Sequence, residues 1–158
     1  TSLYNRRYFE ERLEEETRRA RRYSRPMSIM MLDIDFFKQF NDNNGHLKGD
    51  QVLREIAQVL LRFSRETDIV ARYGGEEFVM ILPETDAHNS GLLAERIRIS
   101  VDETIFEGQE NIPSGNVTLS IGVSCLAGDE GGHDTLERAD QALYKSKQNG
   151  RNQTTILE

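Results

Sequence analysis

Ile69-Val70-Ala71-Arg72-Tyr73-Gly74-Gly75-Glu76-Glu77-Phe78-Val79-Met80-Ile81-Leu82 is an apolar run, a turn and a second apolar run, closed by Pro83. Paired glycines between strand-forming segments mark a tight hairpin, so two strands joined at Gly74-Gly75 is the natural reading. The hairpin carries Glu76 and Glu77 at its tip, beside backbone with no Cβ to obstruct a ligand. Carboxylates held at a rigid turn suit a hard cation such as Mg²⁺. An ordinary hairpin with two solvated acids has the same local sequence, so the rest of the chain decides between the two.

Residues 27–34 form a short, almost continuous apolar run, as expected of a buried central strand that ends at Asp33 and Asp35. Ahead of it, Asn5 caps a helix running to about Ser24, with Tyr8, Phe9 and Leu13 near its start and Pro26 beyond its end. The basic run at residues 18–22 reads as a solvated helix face. Residues 47–63 give an amphipathic helix with Val52, Ile56, Val59 and Phe63 on one side. After the hairpin, residues 86–103 form a helix with Leu92, Ile97 and Val101 inward, and Ile105-Phe106-Glu107 a short edge strand. Residues 116–126 alternate apolar and polar, the mark of a half-buried strand. Residues 135–149 form the last helix, closed by Gly150, and residues 152–157 a final strand. This order predicts one α/β (α+β) domain with a mixed or antiparallel central sheet of about five strands and helices on one face. In that layout the end of the first strand lies beside the hairpin tip, which brings Asp33 close to Glu76.

The 158 residues suffice for one domain with a core, and the balance of apolar and charged residues is that of a soluble globular protein. No apolar run approaches the roughly 18 residues of a membrane span. A single cysteine, Cys125, excludes an internal disulfide and suits a reducing, cytoplasmic compartment. The net charge of −7 argues against duplex nucleic acid or an anionic membrane surface as partner. A nucleotide ligand stays open, because a metal ion and a few local cations can neutralise its phosphates. No signal peptide is visible, and a start at Thr1-Ser2-Leu3 without Met is what a domain cut from a longer protein would show.

Residues 33–50 are dense in polar, turn-forming side chains between the buried strand and the following helix, and read as a loop. A loop at the carboxyl end of a strand is a usual place for a ligand. Asp33 offers a carboxylate and Ile34 a carbonyl oxygen. Asn41 and Asp50 offer an amide and a carboxylate to a base edge; a guanine presents two donors on one edge, and a carboxylate accepts both.

Taken together, the residues resemble the GGDEF domain family, the diguanylate cyclases, in its Gly-Gly-Glu-Glu-Phe variant. The resemblance rests on Leu3-Tyr4-Asn5-Arg6-Arg7, Asp33-Ile34-Asp35-Phe36-Phe37-Lys38, Asn41-Asp42, Gly45-His46, Gly49-Asp50 and Arg72-Tyr73-Gly74-Gly75-Glu76-Glu77-Phe78. It continues through Ser120-Ile121-Gly122-Val123, Ala139-Asp140, Ala142-Leu143-Tyr144, Lys147 and Gly150-Arg151-Asn152. The blocks keep the family's order over nearly the whole chain. Ser2 departs from the glycine usual there, and the sequence begins too late to show the Asp that the family has upstream of it.

The resemblance implies a domain over residues 1–158, the C-terminal part of a longer signalling protein, with the ferredoxin-like core of nucleotide cyclases and polymerase palms. It implies condensation of two GTP into cyclic di-GMP and pyrophosphate, with two Mg²⁺ (or Mn²⁺) per half-site. Asp33, the Ile34 carbonyl and Glu76 are then metal ligands, Glu76 also the base, and Glu77 a supporting acid. Backbone N–H groups of Phe36, Phe37 and Lys38 cradle phosphates, and the Lys38 ammonium stabilises charge at phosphorus. Asn41, His46 and Asp50 line the guanine pocket, and Lys147 and Arg151 hold the terminal phosphates. Because one subunit binds one GTP, a two-fold homodimer is implied. Arg65, Asp68 and Arg96 match the family's inhibitory product site, although Arg-x-x-Asp alone is also a common surface pair. Two alternatives stay open: a catalytically inactive receptor domain that binds GTP or cyclic di-GMP, and a synthase of a mixed cyclic dinucleotide.

Overall fold

Met27–Ile34 (β1) is buried at every one of its positions and occupies the middle of the sheet, so it must be apolar on both faces. Met30, Leu32 and Ile34 point into one core with Phe40, Ile56, Leu60, Ile97 and Val101. Met27, Ile29 and Met31 point into a second core with Phe9, Leu13, Leu136 and Leu143. The computed structural model describes residues 1–158.

Around β1 the elements are α1 (Arg6–Arg22), α2 (Phe37–Asn44), α3 (His46–Phe63), β2 (Ile69–Arg72), β3 (Glu77–Pro83), α4 (Ala87–Glu103), β4 (Leu119–Cys125), α5 (Gly132–Gln148) and β5 (Thr154–Ile156). The sheet order is β2-β3-β1-β4-β5, antiparallel throughout except for the parallel pair β4–β5. This is the expected α+β domain with a five-stranded mixed sheet. Helices α1 and α5 line the second core and α2, α3 and α4 the first. The expectation of helices on one face is therefore corrected: a central strand apolar on both sides needs cover on both.

Other local readings also shift. Residues 37–44, expected within a loop, fold as α2, because Phe37 and Phe40, three apart, are both buried and stacked with ring centroids 6.4 Å apart. Residues 105–107 form no strand: Phe106 is buried, Ile105 projects into solvent, and the Phe106 N–H is taken by the Gln109 side chain rather than by a neighbouring strand. Leu92 faces outward, and Ala94 joins Ile97 and Val101 on the inner side of α4. The last helix starts three residues earlier than expected, at Gly132, with the Asp134 carboxylate accepting from the Gly131 N–H at 2.9 Å. The Asn5 cap forms as the sequence suggests, accepting from Tyr8 N at 2.9 Å, and Asp86, expected inside a helix, instead caps α4 by accepting from Asn89 N at 2.8 Å.

Gly122 determines how closely α5 approaches the sheet. A Cβ there would stand 2.1 Å from the Leu143 nitrogen and 2.2 Å from the Ala139 carbonyl oxygen, both helix backbone that cannot yield cheaply. Gly122→Ala should therefore destabilise the domain by about 3 kcal/mol, at the upper end of overpacking costs. Chemical denaturation of both proteins measures this; a loss within 0.5 kcal/mol, about the size of a neutral surface change, would show that α5 can shift freely.

Candidate active site

The turn between β2 and β3 is shaped by backbone and by one arginine rather than by its acids. Tyr73 N and Gly74 N both donate to the Glu77 carbonyl, at 2.8 and 3.3 Å. The Arg72 guanidinium curls over the turn and donates to the Gly74 and Gly75 carbonyls at 3.2 and 2.7 Å. Neither glycine adopts a positive φ. Space is tight at Gly74, where a Cβ would lie 2.7 Å from Glu77 Oε2 and turn that side chain aside, whereas Gly75 opens onto empty space.

Pairing of β1 with β3 sets Asp33 opposite Glu77, and the Ile34 N–H donates to the Glu76 carbonyl at 3.2 Å. The expected approach of the first strand's end to the hairpin tip is thus observed. Asp33 is 4% exposed and meets one cation, the Lys147 ammonium from the end of α5, at 2.9 Å. Burial raises the Asp33 carboxyl from 3.8 to about 6; Lys147 opposes that rise, and the negative charges of Glu76 and Glu77 add to it. Glu76, half-buried, is raised for the same reasons: first its desolvation, then Glu77, against Lys147.

Oxygen donors held out of water with excess negative charge form a place that favours a cation. No three His, Cys, Asp or Glu side chains converge in metal-binding geometry. That is compatible with Mg²⁺, which takes one or two carboxylates and completes its shell with water and substrate phosphates. Asp33, the Ile34 carbonyl and Glu76 fit this donor chemistry, with Glu77 across the strand pair.

The neighbouring elements carry the other candidate residues. Phe36 caps α2 in the left-handed conformation, φ 54°, with its ring half in solvent. Phe37 is 5% exposed and stacks in the core, so it can reach a ligand only through its N–H. No side chain caps α2, and the first N–H groups of a helix have no intrahelical acceptor, which leaves Phe36, Phe37 and Lys38 as donors at its start. Lys38 projects into solvent. Asn41 lies against Gly49, where a Cβ would stand 1.7 Å from Asn41 Oδ1, and that oxygen is buried with no hydrogen-bond partner. His46 and Asp50 follow on α3, one turn apart and both exposed. The Arg151 guanidinium lies over the Phe36 ring at 4.6 Å. Lys147 and Arg151 therefore face the end of β1 from the same helix terminus.

Arg65 and Asp68 form a closed turn, with Arg65 N donating to Asp68 Oδ2 at 2.8 Å and Asp68 N to the Arg65 carbonyl at 3.1 Å. Burial raises the Asp68 carboxyl, against the Arg65 N–H bond and the Arg65 charge, and its Oδ1 has no partner. Arg96, exposed on α4, stacks on Phe63 at 5.3 Å, two residues before Arg65. All three residues share one side of the molecule, away from the end of β1.

Three residues of structural weight stood in the quoted motifs with no role of their own: Arg72, which holds the turn; Gly49, which makes room for Asn41; and Asp35, read as the end of a strand. For Gly49 the signal was a glycine inside a helical pattern, which usually marks a close approach.

The profile of the family described as "Diguanylate cyclase, GGDEF domain" matches residues 1–153. Diguanylate cyclase A of Treponema denticola is 50% identical over 133 residues, covering 82% of this chain and 35% of that protein. The response regulator PleD of Caulobacter vibrioides is 45% identical over 156 residues, 96% of this chain and 34% of that protein. The chain thus spans about a third of the length of these relatives. Among solved structures, the GGDEF domain of DgcB from Caulobacter crescentus, in complex with cyclic di-GMP, has a TM-score of 0.92 at 40% identity, covering 99% of this chain and 92% of that one. The active GGEEF domain of a diguanylate cyclase from Vibrio cholerae has a TM-score of 0.92 at 38% identity, covering 99% of both.

The raised Asp33 carboxyl has a consequence for stability. An acid whose folded pKa lies above its unfolded value binds its proton more readily when folded, so stability falls as pH rises from 3.8 to about 6 and stays lower beyond. In metal-free buffer, Asp33→Asn should therefore stabilise the domain at pH 7.5 by about 2 kcal/mol and lose most of that advantage near pH 4. Denaturation midpoints at the two pH values check this; an equal effect at both would remove buried charge as the cause.

Proposed function

This chain belongs to the GGDEF family, and we propose that it is a diguanylate cyclase domain that condenses two GTP into cyclic di-GMP with release of two pyrophosphates. The carrying observation is the convergence of Asp33, Ile34 and the Glu76-Glu77 pair at the end of β1, with Lys147 alongside. In each half-reaction the 3′-hydroxyl oxygen of one GTP bonds to the α-phosphorus of the other, and the bond from that phosphorus to the pyrophosphate oxygen breaks. Such transfer depends on positioning and charge neutralisation.

Mg²⁺ or Mn²⁺, held by Asp33, the Ile34 carbonyl and Glu76, would supply charge neutralisation on the triphosphate. Glu76 takes the hydroxyl proton; its raised pKa makes it a stronger base than a solvated glutamate. The N–H groups of Phe36, Phe37 and Lys38 and the Lys38 ammonium bind phosphate oxygens. Lys147 and Arg151 bind the terminal phosphates, so Lys147 exchanges its Asp33 contact for the ligand. Asn41, His46 and Asp50 enclose the base, with Asp50 accepting from a guanine edge. One chain presents one such set of groups, so two chains related by a two-fold axis are required. Arg65, Asp68 and Arg96 form a product site, because guanidinium groups and an acceptor carboxylate match the phosphates and guanine edges of cyclic di-GMP.

Incubating the pure domain with GTP and Mg²⁺ and identifying products by mass tests the reading; cyclic di-GMP is expected, and nucleotide binding without turnover would favour a receptor. Glu76→Gln should abolish the product while leaving the fold intact, since an amide neither holds the ion well nor accepts the proton. A folded Glu76→Gln protein of wild-type activity would remove Glu76 from both roles. Arg65→Ala should leave the initial rate nearly unchanged and weaken cyclic di-GMP binding by about 1–3 kcal/mol for each charged hydrogen bond lost. Calorimetric titration beside progress curves reads both quantities; unaltered affinity would reduce the Arg65–Asp68 turn to a surface pair.

A further inference from the structure

Asp35 is 4% exposed, and none of the roles above uses it. Both of its oxygens accept hydrogen bonds. Oδ1 accepts from the Ser120 hydroxyl at 2.6 Å, and Oδ2 accepts from the Thr118 hydroxyl at 2.7 Å and from the backbone N–H of Asn152 at 3.0 Å. Three donors of this chain thus hold this carboxylate in place, two residues from Asp33.

The Asn152 N–H belongs to an unusual segment. Gly150, Arg151 and Asn152 have φ of 114°, 63° and 45°, three successive residues on the positive side, where side-chain-bearing residues are strained. The segment persists because its surroundings hold it. Arg151 N donates to the Ser146 carbonyl at 3.0 Å, and the Asn152 side chain bonds Arg98 and Asp102 at 3.0 and 3.3 Å. The Gln153 side-chain amide donates to the Arg151 carbonyl at 3.1 Å, and Asp35 adds the tie to the Asn152 N–H. Directly after Asp35 comes Phe36, also left-handed at 54°, whose ring carries the Arg151 guanidinium. One buried carboxylate thus holds both halves of the Phe36–Arg151 stack: Phe36 through the chain, and Arg151 through the N–H of its neighbour.

We propose that Asp35 is a positioning residue for Arg151: it locks the strained 150–152 turn so that the guanidinium stays over Phe36, facing the end of β1, where it grips the terminal phosphates of a bound nucleoside triphosphate. This rests on the reading of the site as a GTP site. A residue that only stabilised the sheet would affect all ligands alike. A residue acting through Arg151 affects the β- and γ-phosphates alone.

The test measures Mg²⁺-dependent binding of 3′-deoxy-GTP, which lacks the attacking hydroxyl and is not consumed, beside GMP, which lacks the terminal phosphates. Asp35→Ala should weaken the triphosphate about tenfold, the equivalent of one well-placed hydrogen bond, and GMP less than about twofold. Asp35→Asn should recover most of the loss, because an amide oxygen can still accept the Asn152 N–H while its nitrogen donates to Ser120. In an Arg151→Ala background, Asp35→Ala should add little further loss. If Asp35→Ala does not fold, Thr118→Ala with Ser120→Ala tests the same link: it removes the two hydroxyls that aim the carboxylate at the Asn152 N–H while leaving Asp35 in place, and a smaller loss confined to the triphosphate is expected. Wild-type protein that does not bind 3′-deoxy-GTP would remove the functional reading itself. Wild-type binding with equal losses for both ligands, or additive losses with Arg151→Ala, would overturn the positioning role alone.

Discussion

The pairing of β1 with β3 sets Asp33 opposite Glu77, and the rest of the site is arranged around that register. A slip of one residue would turn every β1 side chain to the other face. Packing forbids the slip, since Met30 and Leu32 fill one core while Ile29 and Met31 fill the other. Acids directly across an antiparallel pair repel one another. The long buried pairing from Met27 to Asp33 absorbs that repulsion, so the acids need not be neutralised for the sheet to form. The same register leads the Ile34 N–H to the Glu76 carbonyl, which fixes the turn's last residue as well as its acids.

Shape and charge are supplied by different residues at the hairpin. Arg72, the one cation on the turn, spends its donors on the Gly74 and Gly75 carbonyls, and no ion pair joins it to Glu76 or Glu77. The acids therefore keep their charge for a ligand. Lys147 reaches Asp33 from a different element, and its ammonium lies on a flexible stem that can exchange one anionic partner for another. Burial that holds Asp33 near 6 is unfavourable for the empty domain and favourable for binding a cation, the kind of local cost that recurs at functional sites.

The elements with strong patterns were legible in the sequence. The hairpin, β1, α3 and the capped start of α1 follow from apolar runs, helical periodicity and a cap residue. Cover on both faces was legible too, since residues 27–34 are apolar at consecutive rather than alternate positions, but it was read as helices on one face. The helix α2 was hidden because residues 37–44 are rich in Asn and Asp, poor helix formers, and only the tertiary burial of Phe37 and Phe40 decides its state. At the site, the choice of residues came from family motifs, whereas their presentation did not. Asp33 and Asp35, two apart, look equivalent on paper, yet β1 ends at Ile34, so alternation no longer governs Asp35. One carboxylate meets Lys147 and the other meets Thr118, Ser120 and Asn152.

Strain is distributed in the same way. Of the five residues other than glycine with positive φ, Phe36, Arg151 and Asn152 gather where β1 and α5 end; Ser24 and Glu84 lie elsewhere. Asn tolerates the left-handed region through its short polar side chain, whereas Phe and Arg gain nothing there locally. Each such residue costs on the order of 1–3 kcal/mol, and glycine would relieve it. Glycine would also delete the ring and the guanidinium that stack on each other. The strain at Phe36 and Arg151 is thus the energetic cost of side chains that the backbone alone would not place there. It is sustained by a carboxylate that accepts from Thr118, Ser120 and the Asn152 N–H.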